Sequence, residues 1–380
     1  MHHGMLTVYK EAGYTSSDAV ARLRGILRMR KIGHTGTLDP DAVGVLPMCL
    51  GNATRICELI ANREKEYVAV MRLGVLTDTQ DMSGEILKEI PEEDIPAILL
   101  KDPSVQADDS IEKSNSAADA DTGTNTDAVI SADTSEEEKI YRRISQAAAA
   151  FIGEIDQIPP MYSAIKVNGK RLYDMARKGI TVERKPRRIT IYVLEIEKVE
   201  LPLVTMRVRC SKGTYIRTLC EDLGNALGTG AAMQSLIRTR VGQFTLEEAR
   251  TLDELESLAK TKPEELEPLI RPVDSFFADL PAAVCAPDAL RLLKNGNVLT
   301  LQQIRFLTTE EDPQKKYRTA DSDNNSREVF DTSSLPGIDP GEKVVRMYDA
   351  AGSFYGLYRT RPGVKGRGLY SAYKMFLPEK

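Results

Sequence analysis

The chain has 380 residues, of which 42% are hydrophobic and 28% charged, and its formal net charge is −5 at pH 7. This length and composition are typical of a globular protein with two domains, or with one large domain and an appendage. The sequence contains no apolar run near the roughly 20 residues that a membrane helix needs, and its first residues do not form the apolar core of a secretory signal.

The five cysteines, which are few and scattered, favour reduced thiols in a cytoplasmic protein. They do not form a C-x-x-C pair, and their odd number does not suggest a disulfide framework. The sequence also lacks the H-E-x-x-H zinc motif and the P-loop motif. We therefore expect a cytoplasmic protein with no membrane partner, no metal and no cofactor.

Acidic residues are concentrated in two segments. Residues 101–139 carry eleven acidic residues against three lysines, and residues 309–342 carry nine against four basic residues. The remainder of the chain has a net charge of +8, which suits contacts with phosphate groups. The first segment lacks aromatic residues and periodicity, so we predict a disordered acidic insertion over about 97–139. For the second segment we predict a polar insertion over about 309–342.

Hydrophobic periodicity predicts helices and strands between these segments. In chain order, they are a helix capped by Ser16, Ser17 or Asp18 and continuing through Val20, Leu23 and Leu27, a strand at 66–73, a helix from near Tyr141 to Phe151, strands at 189–198 and 203–210, a helix from about Thr214 to the C′ residue Gly228, a charged helical stretch around 246–268, and short strands at 343–348, 354–359 and 369–376. The last three strands indicate a small β-barrel that follows a boundary near residue 271.

The segment from Lys31 to Pro47 reads KIGHTGTLDPDAVGVLP. It places His34 five residues before Asp39, and Pro40 biases Asp39 toward an extended or turn conformation. A carboxylate on a glycine-rich loop suits a nucleophile or a general base. From the spacing alone, however, a simple turn that enters the next element is the more frequent interpretation.

The motif GHTGTLDP, with GVLP after it, resembles the signature of the tRNA pseudouridine-55 synthase family. Further blocks of that family follow the same order, covering nearly all structured parts of the first 245 residues: KEAGYTSSDAV at 10–20, EKEY at 64–67, TDTQD at 77–81, QIPPMYSAIK at 157–166, NGKRLY at 168–173, ARKG at 176–179 and SKGTYIRTL at 211–219. Asp41 departs from the pattern, since the family usually has leucine there; we expect this side chain to face solvent.

The resemblance implies a role for each matched residue. Asp39 would be the nucleophile that attacks the ribose C1′ or the uracil ring, Arg217 its charged partner, and Tyr67 the ring against the target base. Tyr215 and Leu236 would form the other walls of the uracil pocket, and His34 would fill the gap that a flipped base leaves in the RNA stack. The matched blocks add further substrate-binding candidates: Gly36, Thr37, Asp81, Lys166 and Arg177.

Each of these side chains also has an ordinary structural interpretation. Arg217 would otherwise be a surface arginine, Tyr67 and Tyr215 half-buried residues, and His34 a local hydrogen-bonding residue. Basic residues interleaved with aromatic ones fit contact with a folded RNA loop, and the sequence has such a cluster at Lys166, Arg171, Arg177 and Lys178, with Tyr162 and Tyr173. In the C-terminal part, Arg359, Arg361, Lys365 and Arg367 give the predicted barrel a basic character.

The resemblance implies an α+β pseudouridine synthase fold with a mixed or antiparallel central sheet, flanking helices and a small C-terminal PUA-like β-barrel. We predict a catalytic domain at 1–270 and an RNA-binding domain at 271–380. The implied activity is isomerisation of uridine 55 in the T loop of tRNA by a monomer. Two alternatives stay open: a non-catalytic tRNA-binding or tRNA-folding chaperone, and a pseudouridine synthase with another RNA target.

Overall fold

The computed structural model describes residues 2–101, 135–163, 165–167, 169–180, 182–318, 332, 335–339, 341–361 and 368–377. Its contacts divide the chain into two compact units. The first comprises Met1–Lys65 and Arg238–Lys380, and the second comprises Glu66–Ile237. Within the described residues, no helix has the length and apolar content required to cross a membrane.

The described chain forms both strands and helices. The strands are β1 Gly4–Lys10, β2 Ile32–His34, β3 Val43–Leu50, β4 Lys65–Leu73, β5 Val75–Thr77, β6 Ile86–Glu89, β7 Gly153–Gln157, β8 Lys166–Val167, β9 Lys170–Arg171, β10 Arg187–Glu200, β11 Leu203–Cys210, β12 Ala231–Val241, β13 Phe244–Thr245, β14 Ala282–Cys285, β15 Leu299–Thr300, β16 Ile304–Phe306, β17 Val344–Tyr348, β18 Phe354–Thr360 and β19 Leu369–Met375. The helices are α1 Ser16–Leu27, α2 Cys57–Ala61, α3 Ile95–Leu100, α4 Glu136–Ala149, α5 Leu172–Ala176, α6 Ile216–Ala226, α7 Leu252–Thr261, α8 Pro263–Leu266 and α9 Leu290–Lys294.

In the first unit, β3 lies between β1 and the C-terminal part of β12, and β2 also pairs with β3. Helix α1 confirms the predicted periodicity, since its apolar residues pack in the core with those of β1 and β3. The predicted caps were wrong. Thr15 is the N-cap because its hydroxyl accepts a hydrogen bond from the backbone N–H of Asp18, whose carboxylate accepts one from the Thr15 N–H.

In the second unit, the strand order is β12, β4, β11, β10, β7. Strand β4 confirms the predicted alternation, because Tyr67, Ala69 and Met71 are buried on one face. Strands β10 and β11 pair in antiparallel register and confirm the two predicted strands. Helix α6 begins at Ile216, two residues after the predicted Thr214, and Gly228 follows its cap with φ of +81°. That left-handed conformation confirms the predicted C′ glycine.

Residues after 281 form a six-stranded sheet in the order β15, β19, β18, β17, β14, β16. Its pairs are antiparallel except for β14 with β17. Strands β17, β18 and β19 confirm the three predicted strands. Strands β14, β15 and β16 were missed because they have only two to four residues, too few to show a period. The predicted boundary near residue 270 does not coincide with either compact unit and stays a prediction.

The predicted disordered insertion is too long at both ends. Helix α3 continues to Leu100 and buries Leu99, and helix α4 begins at Glu136, so residues 97–100 and 136–139, which the composition had assigned to the insertion, are helical. The central part of the insertion, residues 102–134, lies outside the described residues. The predicted helical stretch at 246–268 was also too long, because α7 begins only after Thr251, which forms a capping box with Glu254.

The predicted polar insertion at 309–342 contains buried residues. The Asp312 carboxylate forms an ion pair with Arg346, a residue of β17 that is 0% exposed. Leu335 packs in the same hydrophobic cluster as Phe277 and Leu357. Residues 319–331, 333–334 and 340 of this segment lie outside the described residues. Both ends of the segment therefore belong to the packed part of the first unit.

Candidate active site

Asp39 lies in the loop that joins β2 to β3 in the first unit. The loop is held at Leu38, whose backbone N–H donates a 2.9 Å hydrogen bond to the Ser16 hydroxyl on α1. It turns at Asp39, whose carbonyl oxygen accepts a hydrogen bond of 3.2 Å from the Ala42 N–H. Asp39 is half-buried, and Asp41 is exposed as expected. The backbone on both sides of Asp39 is thus fixed by hydrogen bonds.

Lys10 holds this loop from the end of β1. Its buried ammonium donates three hydrogen bonds to carbonyl oxygens, at 2.9 Å to Pro40, 2.6 Å to Tyr14 and 3.0 Å to Glu11. Burial lowers the pKa of Lys10 to about 8, although the negative charges of Asp41 and Asp39 act in the opposite direction. Lys10 belongs to the first matched block, and the sequence alone predicts no role for its side chain.

Arg238, near the end of β12, holds the same loop from inside the first unit. It is 1% exposed, and its guanidinium donates to the carbonyl oxygens of Val45 at 2.7 Å, Gly36 at 3.3 Å and Thr37 at 3.5 Å. A Cβ on Gly44, where φ is +107°, would lie 2.3 Å from the Arg238 carbonyl oxygen. Gly36 and Thr37 therefore contribute carbonyl oxygens to a buried contact, and only glycine fits at position 44.

His34 is half-buried at the end of β2. Its Nδ1 accepts a 3.3 Å hydrogen bond from the Gly36 N–H. Burial lowers the pKa of His34; the hydrogen bond with Gly36 raises it in part, and the positive charge of Arg238 lowers it. The imidazole is therefore neutral at pH 7. The local hydrogen bond also fits the ordinary interpretation, so the RNA-contact role stays a prediction.

Arg217 is the second residue of α6 and lies in the second unit. Its side chain is 6% exposed, which excludes the interpretation as a surface arginine. The guanidinium donates at 2.9 Å to the carbonyl oxygen of Thr79 and at 2.9 Å to that of Tyr162, and it lies 3.5 Å from the Asp81 carboxylate. The structure thereby brings together three of the matched sequence blocks.

Tyr215 precedes α6 and is held by Gln157 at the end of β7. The Tyr215 N–H donates to Gln157 Oε1 at 2.8 Å, and Gln157 Nε2 donates to the Tyr215 carbonyl oxygen at 3.0 Å. Gln157 is 2% exposed. Its buried amide pairs with the Tyr215 main chain as a neighbouring strand would, by donating one hydrogen bond and accepting one. Gln157 belongs to a matched motif, but its contact with the Tyr215 main chain is not visible in the sequence.

Tyr67 and Leu236 lie on β4 and β12, which are neighbours in the sheet. Each of the two residues is 7% exposed. Tyr67 shares its buried face with Ala69 and Met71. This position agrees with the ordinary interpretation of Tyr67 as a residue that packs in the sheet. The burial is equally compatible with a pocket wall, so the assignments of Tyr67 and Leu236 stay predictions.

The predicted basic cluster lies on a short hairpin and the helix after it. Lys166 of β8 pairs through its backbone with Arg171 of β9, and α5 follows directly. Arg177 is exposed and lies over the Tyr173 ring, 4.5 Å from its centroid. In the C-terminal sheet, Arg359 donates to the Gly337 carbonyl oxygen at 2.7 Å, while Lys365 and Arg367 lie outside the described residues.

Two chemical features limit the kinds of site that the described residues form. Within that part of the chain, no group of three or more His, Cys, Asp and Glu side chains is arranged to hold a metal ion. None of the five cysteines, all of which lie in the described ranges, forms a disulfide, and four of them are buried. The candidate site residues described above therefore offer carboxylates, the phenols of two tyrosines, a neutral imidazole and buried cations.

Comparison with known proteins gives these residues a context. Residues 24–104 and 112–216 match the model of the TruB family pseudouridylate synthase N-terminal domain, and residues 217–278 match the tRNA pseudouridylate synthase B C-terminal domain. A tRNA pseudouridine synthase B of Lachnoclostridium phytofermentans is 38% identical over 99% of this chain and 100% of the relative. The chain belongs to the TruB family of pseudouridylate synthases. This confirms the resemblance and makes the protein an isomerase.

Further comparisons agree with the TruB assignment. The tRNA pseudouridine synthase B of Clostridium tetani is 42% identical over 77% of this chain and 84% of the relative. A chain of a Cbf5-Nop10-Gar1 complex is 25% identical, with a TM-score of 0.57 over 99% of this chain and 85% of that chain. A chain of an H/ACA RNP bound to a substrate RNA containing 2′-deoxyuridine has 23% identity and a TM-score of 0.58, over 99% and 86% of the two chains. The predicted α+β fold with a C-terminal barrel-like sheet is confirmed.

Proposed function

We propose that this TruB-family enzyme converts uridine 55 in the T loop of tRNA to pseudouridine. The observation that carries the proposal is the full-length similarity to a protein named tRNA pseudouridine synthase B, at 38% identity over 99% of this chain. The net charge of +8 outside the two acidic segments supports an RNA substrate. The relatives named for tRNA favour it over another RNA target.

The reaction rearranges one nucleotide without oxidation or group donation. The N1–C1′ bond breaks, the uracil turns, and a C5–C1′ bond forms; C5 loses its proton and N1 gains one. In this proposal, Asp39 is the nucleophile, and the contacts of Lys10 and Arg238 keep its loop in one conformation. Arg217 supplies a fixed positive charge in the same reaction, since its guanidinium is buried and hydrogen-bonded.

The remaining predicted residues recognise the RNA. Tyr67, Tyr215 and Leu236 form an apolar lining for the flipped uracil, and stacking on such a lining recovers the few kcal/mol that base flipping costs. His34 replaces the flipped base in the stack as a neutral ring. Arg177 and Lys178, which are exposed and follow α5, contact the phosphate backbone. Asp81 acts through its contact with Arg217.

The test is release of tritium from C5 of uridine in a T-arm RNA. The isomerisation must release that hydrogen to water, so the wild-type enzyme should release one tritium per T arm, and an RNA with cytidine at position 55 should release none. Asp39→Asn should keep the RNA affinity and lose release. Asp41→Asn is the matched control, because Asp41 is an exposed carboxylate two residues away, and it should keep the wild-type rate within about threefold.

The outcomes separate the alternatives. RNA binding without release by the wild-type enzyme would favour the chaperone function. Release from other RNAs but not from the T arm would favour a different RNA target. Release by Asp39→Asn at the wild-type rate would remove Asp39 from the role of nucleophile.

A further inference from the structure

Gln80 lies in the turn between β5 and β6 and has a left-handed backbone conformation, with φ of +65°. Among the non-glycine residues that the structure describes, only Arg28 shares a positive φ. A residue with a Cβ stays in this conformation only when its surroundings hold it there. The contacts of the Gln80 side chain show what holds it.

The Gln80 amide spans one turn of α6. Its Oε1 accepts a 2.7 Å hydrogen bond from the Thr218 hydroxyl, and the Glu221 carboxylate accepts a hydrogen bond from the same amide. Thr218 and Glu221 are three residues apart, so they lie on one face of the helix. Gln80 therefore ties the turn to the first part of the helix that carries Arg217.

The residues on either side of Gln80 are both partners of Arg217. Thr79 offers its carbonyl oxygen at 2.9 Å, and Asp81 offers its carboxylate at 3.5 Å. The main chain of the turn is also tied to β12, because the Gln80 carbonyl oxygen accepts from the Met233 N–H at 3.0 Å. A shift of Gln80 relative to α6 would move both partners of the guanidinium at once.

We infer that Gln80 is a positioning residue for Arg217, whose side-chain amide fixes the Thr79–Asp81 turn against α6. Gln80 does not need to touch the substrate for this role. The inference rests on the function proposed for Arg217 and adds the residue that keeps two of its three acceptors, Thr79 and Asp81, in place. Glutamine suits the position because its amide accepts from Thr218 and donates to Glu221 at the same time.

Glutamate at position 80 would have the same length but a different charge. The charged groups that bear on it are Glu221 on α6 and the Arg217–Asp81 pair, and Glu221 in turn interacts electrostatically with Arg184 and Asp222. Burial raises the pKa of Glu221, while its hydrogen bond from Gln80 and the charge of Arg184 lower it; burial raises the pKa of Asp222 to about 6. An ionised glutamate at position 80 would repel Glu221, whereas a protonated one would restore both hydrogen bonds.

The experiment measures kcat for tritium release by Gln80→Glu and by the wild-type enzyme between pH 5.5 and 8.5, at saturating T-arm RNA. We expect the variant to be about tenfold slower at pH 8 and within about twofold of wild type at pH 5.5, with an unchanged KM. Gln146→Glu is the matched control, since Gln146 is exposed on α4 of the same unit. Its rate relative to wild type should be independent of pH.

A pH-independent ratio near one for Gln80→Glu, or a change in KM alone, would overturn the inference. If Gln80→Glu does not fold, as judged by thermal denaturation, Gln80→Asn replaces it. Asparagine tolerates the left-handed conformation but is one methylene shorter, so its kcat should be about tenfold lower at every pH; a wild-type kcat would overturn the inference. If the wild-type enzyme releases no tritium, the proposed function and this inference fail together. If the wild-type enzyme is active and the Gln80 variants behave like it, only the inference fails.

Discussion

The Lys10 ammonium lies 2.9 Å from the carbonyl oxygen of Pro40, the residue that follows Asp39. This hydrogen bond joins the end of β1 to the loop between β2 and β3. Because the ammonium is buried and all three of its acceptors are main-chain carbonyls, it acts as a fixed tether for that loop. The charge of Lys10 also attracts the Asp39 carboxylate.

Lys10→Met should lower kcat while leaving the RNA dissociation constant nearly unchanged. Methionine fills a similar volume but donates no hydrogen bond, so the Pro40 carbonyl loses its charged donor, a bond of about 1.5–3 kcal/mol. We expect kcat for tritium release to fall by about 10- to 100-fold. Lys294→Met, at an exposed position of α9, should behave as wild type. A variant at Lys10 that keeps the wild-type kcat would contradict the tether.

The pH dependence of Lys10 should separate activity from stability. Its folded-state pKa of about 8 lies below the ordinary value of 10.5, so between these values the unfolded chain binds more protons than the folded chain. The free energy of unfolding contributed by Lys10 therefore rises as the pH increases from about 8 to 10.5, whereas kcat falls as the ammonium loses its charge. Urea denaturation and tritium release across this range measure the two effects, and Lys10→Met should show neither. Parallel changes in both quantities would speak against this assignment.

Gln157→Met should destabilise the start of α6. The substitution removes both hydrogen bonds to the half-buried Tyr215 main chain, which costs about 1–3 kcal/mol of the free energy of unfolding. Urea denaturation measures this loss. Gln146→Met on the exposed face of α4 should change the free energy by less than about 0.5 kcal/mol. Equal stability of the two variants would show that the amide of Gln157 is dispensable.

Arg346→Met should destabilise the C-terminal sheet strongly. The guanidinium is buried, and it contacts Asp312 and the carbonyl oxygens of Leu280 and Ala278. Removing one partner leaves a buried charge uncompensated, so we expect a loss of about 3–5 kcal/mol in the free energy of unfolding. The double variant Arg346→Leu with Asp312→Leu should lose less than Arg346→Met alone. A loss below about 1 kcal/mol for Arg346→Met would show that the pair is not essential.

RNA binding should depend steeply on salt despite the net charge of −5. Each phosphate that the protein contacts releases counterions, and the slope of log K against log salt is about −0.9 per contact in duplex nucleic acid. Arg177→Gln should reduce the slope by about one unit, because Arg177 is an exposed cation of the predicted RNA-binding cluster, directly after α5. Filter binding of T-arm RNA, at KCl concentrations from about 50 to about 300 mM, measures this slope. A flat response would rule out a basic binding face.

The long periodic elements could be predicted from the sequence, and the residues that hold the site could not. Helix α1 and strand β4 each bury one regular face, so their periodicity is visible in the sequence. Arg238 and Gln157, in contrast, act on main-chain carbonyls and amides that only the folded chain brings near them. Backbone groups are the same at every position, so the sequence does not mark such partners. The matched family motifs located Arg217 and Asp81 but did not reveal their contact with Thr79.

The buried pair of Asp312 and Arg346 has a consequence for how this protein tolerates changes in length. Asp312 and Leu335 are both fixed in the packed part of the first unit, so the chain between them joins two anchored points. The free energy of closing a connection between two fixed points grows only with the logarithm of its length. A peptide tag or a small reporter domain inserted between residues 318 and 335 would therefore leave the anchors unchanged, which makes this segment a place to label the enzyme while preserving its fold.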